Sequence, residues 1–194
     1  MRLPHLRIHE FLDPAEADAL LHWAIANEAA FQPTLLAYAD EKNAVFRKSL
    51  STRDLGPHKP VLKNAMVRQL DRILSGLGMK SFRYKTELEL VAHNDGARFD
   101  RHTDNGLRKG QRRIDRRVSA VYYFHRAPKA FSGGALRLHA LGAGGHEDIA
   151  PDHNMLLAFP SFAPHEVCEV HCPSQDFADS RFAVNIWLHF DPES

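Results

Sequence analysis

Thirteen histidines and fourteen aspartates in 194 residues make metal chemistry the first question this chain raises. Four His-x-Asp pairs occur: His93/Asp95, His102/Asp104, His146/Asp148 and His189/Asp191. On a strand, side chains two residues apart project from one face, so an imidazole and a carboxylate at that spacing can converge on one ion. A distant second histidine would complete a two-His, one-carboxylate set, which leaves open positions on Fe(II) for a co-substrate and oxygen. Chance alone supplies about one such pair in a chain of this composition, so context has to sort the four.

His189/Asp191 lies at the end of the sequence, with no histidine downstream to complete a site. His146/Asp148 follows a glycine-rich turn and stands 19 residues before His165, a short distance for crossing a barrel. His93/Asp95 runs straight into Gly96, a turn residue. His102/Asp104 follows a strand-like segment, and His165 comes 63 positions later, room for several strands. That last pair suits a metal site. A competing set, His165, Cys168, His171 and Cys172, falls within eight residues. Structural zinc sites pair two short ligand clusters across a longer gap, so zinc is not expected.

The first eighty residues read as a helical layer. Asp13-Pro14-Ala15-Glu16 gives a cap, a proline at the first helical position and an acid in the first turn. Ala17, Leu20, Leu21, Ala24 and Ile25 follow at one-face spacing. A second helix is predicted over 59–77, with Leu62, Ala65, Met66, Leu70, Ile73, Leu74 and Leu77 on its apolar face. The segment 33–57 reads as loop with short strands. After Gly78, alternating runs at 87–92, 118–125, 135–140, 154–159, 166–171 and 181–190 are separated by turn residues. The expected architecture is one domain over 1–194: N-terminal helices on 1–80, then a mainly β, double-stranded β-helix (jelly-roll or cupin-like) barrel on 81–194.

Charges nearly cancel, 25 Lys+Arg against 24 Asp+Glu, so no global field draws the chain to nucleic acid or membrane. Two cysteines are too few for a secreted disulfide scaffold. Pro4, His5 and His9 interrupt the place of a signal peptide, and no apolar run reaches 18 residues, so a cytoplasmic location and no membrane contact are expected. Residues 98–117 hold eight Lys/Arg against three Asp, with Arg108, Lys109, Arg112, Arg113, Arg116 and Arg117 in a basic loop that reads as solvated by default, contact with an acidic peptide or nucleic acid being the sharper option.

Five stretches in order resemble the Fe(II)- and 2-oxoglutarate-dependent oxygenases, most closely the prolyl-4-hydroxylase type that includes the oxygen-sensing hydroxylases. Gly96-Ala-Arg-Phe99-Asp-Arg-His102-Thr-Asp104 is similar to the family's G-x-x-[FY]-x-x-H-x-D. Val118-Ser-Ala-Val-Tyr122-Tyr123 resembles its next strand, and Ser132-Gly133-Gly134-Ala-Leu136-Arg137 its S-G-G-x-L-R turn. Pro164-His165-Glu166-Val167 resembles the segment of the distal histidine, and Arg181 to Trp187 the R-x-x-x-x-x-W of the last strand. His93 stands where members often carry Tyr. The gap from His165 to Arg181 is longer than usual, so 171–180 reads as an inserted loop.

The resemblance implies a dioxygenase that hydroxylates a prolyl or other residue of a peptide or protein, with Fe(II), 2-oxoglutarate and O2, and ascorbate as a reductant. The same residues also fit that chemistry on a free amino acid or small metabolite, or a non-catalytic metal-binding module. It implies His102, Asp104 and His165 as metal ligands, with Arg181 and Tyr123 holding the far carboxylate of 2-oxoglutarate. An arginine inside the otherwise apolar run Phe182, Val184, Ile186 would be costly to bury without such a partner. Trp187 and Arg116 fall where the family contacts substrate, although a strand tryptophan fits core packing equally. Asp104 argues for hydroxylation over halogenation, because related halogenases lack that carboxylate. Nucleic acid is not expected as substrate, since demethylases of the superfamily usually carry a second Arg at the place of Trp187.

Overall fold

A computed structural model describes residues 3–34, 46–105, 115–142 and 144–192. Of the expected basic loop, Arg108, Lys109, Arg112 and Arg113 lie outside the described residues, whereas Arg116 and Arg117 are not loop but open the strand Arg116–Phe124. The elements run β1 (Leu6–His9), α1 (Pro14–Ala26), β2 (Gln32–Pro33), β3 (Arg47–Lys48), β4 (Leu50–Thr52) and α2 (His58–Gly76). They continue with β5 (Tyr84–His93), β6 (Arg98–His102), β7 (Arg116–Phe124), β8 (Ser132–Gly133) and β9 (Leu136–His139). The last are β10 (His146–Ile149), β11 (Met155–Pro160), β12 (His165–Val167), β13 (Val170–His171) and β14 (Arg181–Phe190).

Local chemistry accounts for the helices. The Asp13 carboxylate accepts from the Ala15 N–H at 3.0 Å, and Pro14 opens α1 where a missing N–H costs nothing. Helix α2 stops where Gly78 takes a left-handed φ of 65°, and the Met79 N–H then closes onto the Leu74 carbonyl at 2.8 Å. Both helices lie against one face of a seven-stranded sheet of order β1-β11-β7-β14-β5-β4-β2. A five-stranded sheet, β10-β9-β12-β6-β3, covers the other face. A small pair, β13-β8, closes one end. Strand pairing does not join the two large sheets into one closed barrel among the described residues, but the double-layered jelly-roll arrangement is the one expected.

Strand alternation decides what each layer receives. Along β14, Phe182, Val184, Ile186 and Leu188 are buried in the core beneath the helices. Arg181, Asn185 and Trp187 turn the other way and line a cavity between the sheets. Strand β7 does the same, with Val118, Ala120, Tyr122 and Phe124 toward the helices and Val121 and Tyr123 in the inter-sheet core.

Three expectations about elements change. Ahead of the first helix the chain adds an unexpected strand, β1, which pairs with β11, while the short strands expected over 33–57 are β3 and β4, which join β6 and β5, so this segment extends both sheets. Such strands are two to four residues long, and their partners stand 38 to 152 positions away in register, so no local period announces them. The single run expected over 166–171 is two strands. The register shifts after His165, and the chain then leaves β12 for β13, which pairs with β8. The insertion 171–180 is a packed piece of the fold, with Phe177 buried 5.0 Å from Phe31 and 5.3 Å from Phe182 by ring centroid.

Candidate active site

Strands β6 and β12 are antiparallel neighbours whose register sets His102 directly opposite His165. Their rings lie 4.2 Å apart by centroid. Asp104 follows β6, and its backbone N–H donates to the Ser161 carbonyl at 3.0 Å, which turns the carboxylate toward the two imidazoles. Nε2 of His102 lies 3.7 Å from Oδ1 of Asp104, and Nε2 of His165 3.7 Å from Oδ2. The three ligand atoms fall within 4.8 Å of one another, and no other group of three such side chains does so among the described residues.

The surroundings prepare these atoms to ligate. Nδ1 of His102 lies 2.8 Å from the Asp100 carbonyl, and Nδ1 of His165 lies 3.0 Å from that of Ala163. A carbonyl only accepts, so each Nδ1 carries the proton and each Nε2 keeps a lone pair. Burial, reinforced by His165, drives the His102 imidazole down to about 3, although Asp104 pulls it up. It is therefore neutral, as a ligand must be. Burial would raise the Asp104 carboxyl, but any charge on His165 and His102, with a 2.6 Å hydrogen bond from the Ser119 hydroxyl, outweighs it and holds the carboxyl below its usual range. Phe99 stacks on His102 at 3.6 Å and fixes the ring plane. Two neutral imidazoles and one carboxylate suit a divalent first-row metal with exchangeable positions.

The cavity encloses about 510 Å³ of space, part of it open to solvent, and runs from Arg181 and His93 past the triad to Trp187. At its inner end Arg181 is 1% exposed. Its Nη1 lies 3.1 Å from Nδ1 of His93, the residue opposite it in the β14·β5 register. Nε and Nη2 are buried and reach no hydrogen-bond partner of good geometry among the described residues, and the Tyr123 hydroxyl has only the Arg181 guanidinium itself close by. Burial pushes that hydroxyl up to about 12, so it stays a donor. The guanidinium sits 4.8 Å from the Tyr123 ring centroid. Three unsatisfied buried donors at one end of a cavity fit a carboxylate, which accepts a guanidinium edge bidentately. Gly134 makes the approach possible, because a Cβ there would come within 2.7 Å of Arg181 Cδ.

At the outer end the Arg116 guanidinium lies 4.0 Å over the Trp187 ring, and its Nη2 donates to Glu87 at 2.6 Å. Burial would raise the Glu87 carboxyl, but His189 and Arg116, with the charge of Arg53, bring it down to about 2. Trp187 lines the cavity and Arg116 backs it.

None of the other His-x-Asp pairs gathers a third ligand among the described residues, although His146 lies 3.9 Å from Asp148. His93 faces Arg181 while Asp95 accepts from the Cys172 N–H at 2.9 Å. Asp148 is held by Arg137, and His189 and Asp191 pair with Glu87 and Lys85 respectively. Nor do the cysteines gather: Cys172 is buried with Ala97, Phe131 and Val170, and burial raises the Cys168 thiol. Sequence reasoning missed Ser119, Asn185 and Arg47 on the cavity wall. Period-two counting from Tyr123 and from Arg181 would have found the first two; Arg47 lay in a segment without a pattern.

The profile of the 2OG-Fe(II) oxygenase superfamily matches residues 88–189. The chain belongs to this superfamily. The match spans the triad and the Arg181 end of the cavity, and the cofactors of the superfamily are Fe(II) and 2-oxoglutarate, used with O2. An uncharacterized PKHD-type hydroxylase of Synechocystis sp. is 32% identical over 192 residues, covering 93% of this chain. The chain spans 61% of that protein's length. Among solved structures, a prolyl-4-hydroxylase of Pseudomonas putida superposes with a TM-score of 0.68 at 20% identity, over 97% of this chain and 94% of that one. A Trichoplax adhaerens prolyl hydroxylase in complex with a hypoxia-inducible-factor peptide gives 0.66 at 20%, over 97% and 84%. A viral collagen prolyl hydroxylase of Paramecium bursaria Chlorella virus-1, in a 2-oxoglutarate complex, gives 0.65 at 14%, over 96% of each chain. These likenesses establish the superfamily's fold for this chain. No helix of the described residues is long and apolar enough to cross a membrane.

Proposed function

We propose that this protein is an Fe(II)- and 2-oxoglutarate-dependent dioxygenase that hydroxylates a prolyl or other residue of a peptide or protein. The observation that carries this reading is one cavity holding a two-His, one-carboxylate cluster and, at its inner end, three buried donors without partners. His102, Asp104 and His165 are the metal ligands. Arg181 and Tyr123 take the far carboxylate of 2-oxoglutarate, and Trp187 with Arg116 forms the substrate side. Bound Fe(II) supplies the redox chemistry by which 2-oxoglutarate, O2 and a C–H bond become succinate, CO2 and an alcohol. The chain's own work is positional. The Asp100 and Ala163 carbonyls fix the imidazole tautomers, Ser119 orients Asp104, and the apolar wall of Val121 and Leu136 keeps water from the reacting centre. A peptide as substrate is supported by the Trichoplax likeness, whose structure holds one. A cytoplasmic location is supported by the unpaired thiols of Cys168 and Cys172.

The test is succinate formation from 2-oxoglutarate with Fe(II) and O2, without primary substrate, in wild type and His102→Ala. Slow turnover confined to wild type is expected. Equal succinate from both proteins would remove the cluster from the chemistry, and absence of turnover together with no binding of 2-oxoglutarate to the Mn(II)-loaded protein would leave a non-catalytic module.

A further inference from the structure

The proposed function gives Arg181 a carboxylate to bind but does not say which edge of the guanidinium binds it. A guanidinium carries five N–H groups and can present either of two kinds of edge, Nε with Nη2 or Nη1 with Nη2. In an apolar cavity an arginine held only by its own stem would exchange between these. Here one group is occupied. His93 and Arg181 are cross-strand neighbours on the inner face of β5 and β14, and Nη1 lies 3.1 Å from Nδ1 of His93. Nη1 is a donor, so Nδ1 is an acceptor and the imidazole proton is on Nε2. The other side of the arginine is pinned as well, because its Cδ and Nε pass over Gly134, where any Cβ would collide. What remains free is Nε and Nη2, both buried and both unpartnered, next to the unpartnered Tyr123 hydroxyl.

We infer that His93 is a positioning residue for the co-substrate: as the Nε2–H tautomer it occupies Nη1 of Arg181 and thereby commits the Nε/Nη2 edge, with Tyr123, to a bidentate carboxylate. This rests on the proposed dioxygenase reading and adds a specific job for the one residue of the inner pocket at which this chain departs from the family pattern. The imidazole does not touch the carboxylate in this arrangement; it acts through the arginine. Burial, with Arg181 and Arg47 nearby, holds the His93 imidazole well below the usual histidine range, which keeps Nδ1 free to accept. A protonated imidazole could not accept, and would set a second cation against Arg181.

The experiment is calorimetric titration of the Mn(II)-loaded full chain with two ligands. 2-Oxoglutarate uses both the metal and the Arg181 edge; oxalate chelates the metal and has no far carboxylate. His93→Phe is expected to weaken 2-oxoglutarate about tenfold to a hundredfold, the effect of losing one charge-assisted hydrogen bond. Its oxalate affinity should match wild type, which also reports that the variant is folded and loaded. His93→Asn keeps an acceptor near the Nδ1 position and should recover most of the loss. In the metal-free protein, the ¹⁵N imidazole spectrum, assigned by the signal lost in His93→Asn, should show Nδ1 unprotonated and Nε2 protonated. Unchanged 2-oxoglutarate affinity in His93→Phe overturns the inference. So does parallel weakening of both ligands, which would make His93 a general structural residue, and so does a protonated Nδ1. Failure of wild type to bind either ligand overturns the site reading itself, and this inference with it.

Discussion

Two tyrosines that are neighbours in sequence show how differently the two faces of the large sheet are built. Tyr122 and Tyr123 are both fully buried. Tyr122 points toward the helices, where its hydroxyl donates to Asn154 Oδ1 at 3.0 Å, and Asn154 in turn binds the backbone of Leu12. Tyr123 points between the sheets, and its hydroxyl has no partner of good geometry among the described residues. The same division runs along β14, where Phe182 packs into the helix-side core while Arg181, one residue earlier, keeps two guanidinium nitrogens unsatisfied. Buried polar groups are nearly always paired in a finished core. The helix side is finished by the chain itself. The inner side leaves buried donors unmatched among the described residues, and under the proposed function the carboxylate of a co-substrate completes them.

The sharpest way to break this comparison is within the cluster. Asp104→Ala is expected to reduce succinate formation to background, whereas Asp95→Ala, whose carboxylate serves the Cys172 backbone, should keep it. Equal loss in a folded Asp95→Ala protein would move the metal pair upstream. Next in size is a pair of stability changes read by urea unfolding. Phe182→Ala opens a cavity in the helix-side core and should cost about 3–5 kcal/mol. Arg181→Met removes a buried cation that the protein alone does not satisfy, and should cost less than about 1 kcal/mol while abolishing measurable 2-oxoglutarate binding. A large loss of stability in Arg181→Met would mean that the inner face is as self-sufficient as the outer one.

The tyrosines give the finest test. Tyr122→Phe should lower stability by about 1 kcal/mol, a typical net hydrogen bond, and leave 2-oxoglutarate affinity unchanged. Tyr123→Phe should leave stability unchanged or slightly raised and weaken 2-oxoglutarate several-fold. If both substitutions act on stability alone, the contrast between the faces has no functional content.

Much of the candidate site was legible in the sequence because it is written locally. The His102-x-Asp104 spacing needs only a strand end to bring two ligands to one side, and the alternation of β14 separates Arg181 and Trp187 from the apolar residues between them. The caps of α1, the ends of α2 and the full extent of β14 follow from short-range chemistry in the same way. Less legible was the run after His165, where a strand pattern over 166–171 conceals a shift of register and a change of partner. Alternation reports which residues face the same way; it does not report which strand lies alongside. Arg47 escaped for a related reason. It belongs to a two-residue strand and meets Glu89, 42 residues away, at 3.0 Å from across the sandwich.

By itself, then, the sequence determined the kinds of elements, the inward and outward faces of the long strands and the order of the motifs, because these depend on interactions within a few residues. Tertiary structure decided the pairings: His102 opposite His165, His93 on Arg181, Ser119 on Asp104, and the joining of β1 to β11. Those partners lie 15 to 152 residues apart and meet only when the strands fall into register. Register is set by packing both faces of the sheet at once, the helices on one side and the second sheet on the other. That choice is cooperative across the whole domain, and no segment of the chain contains it.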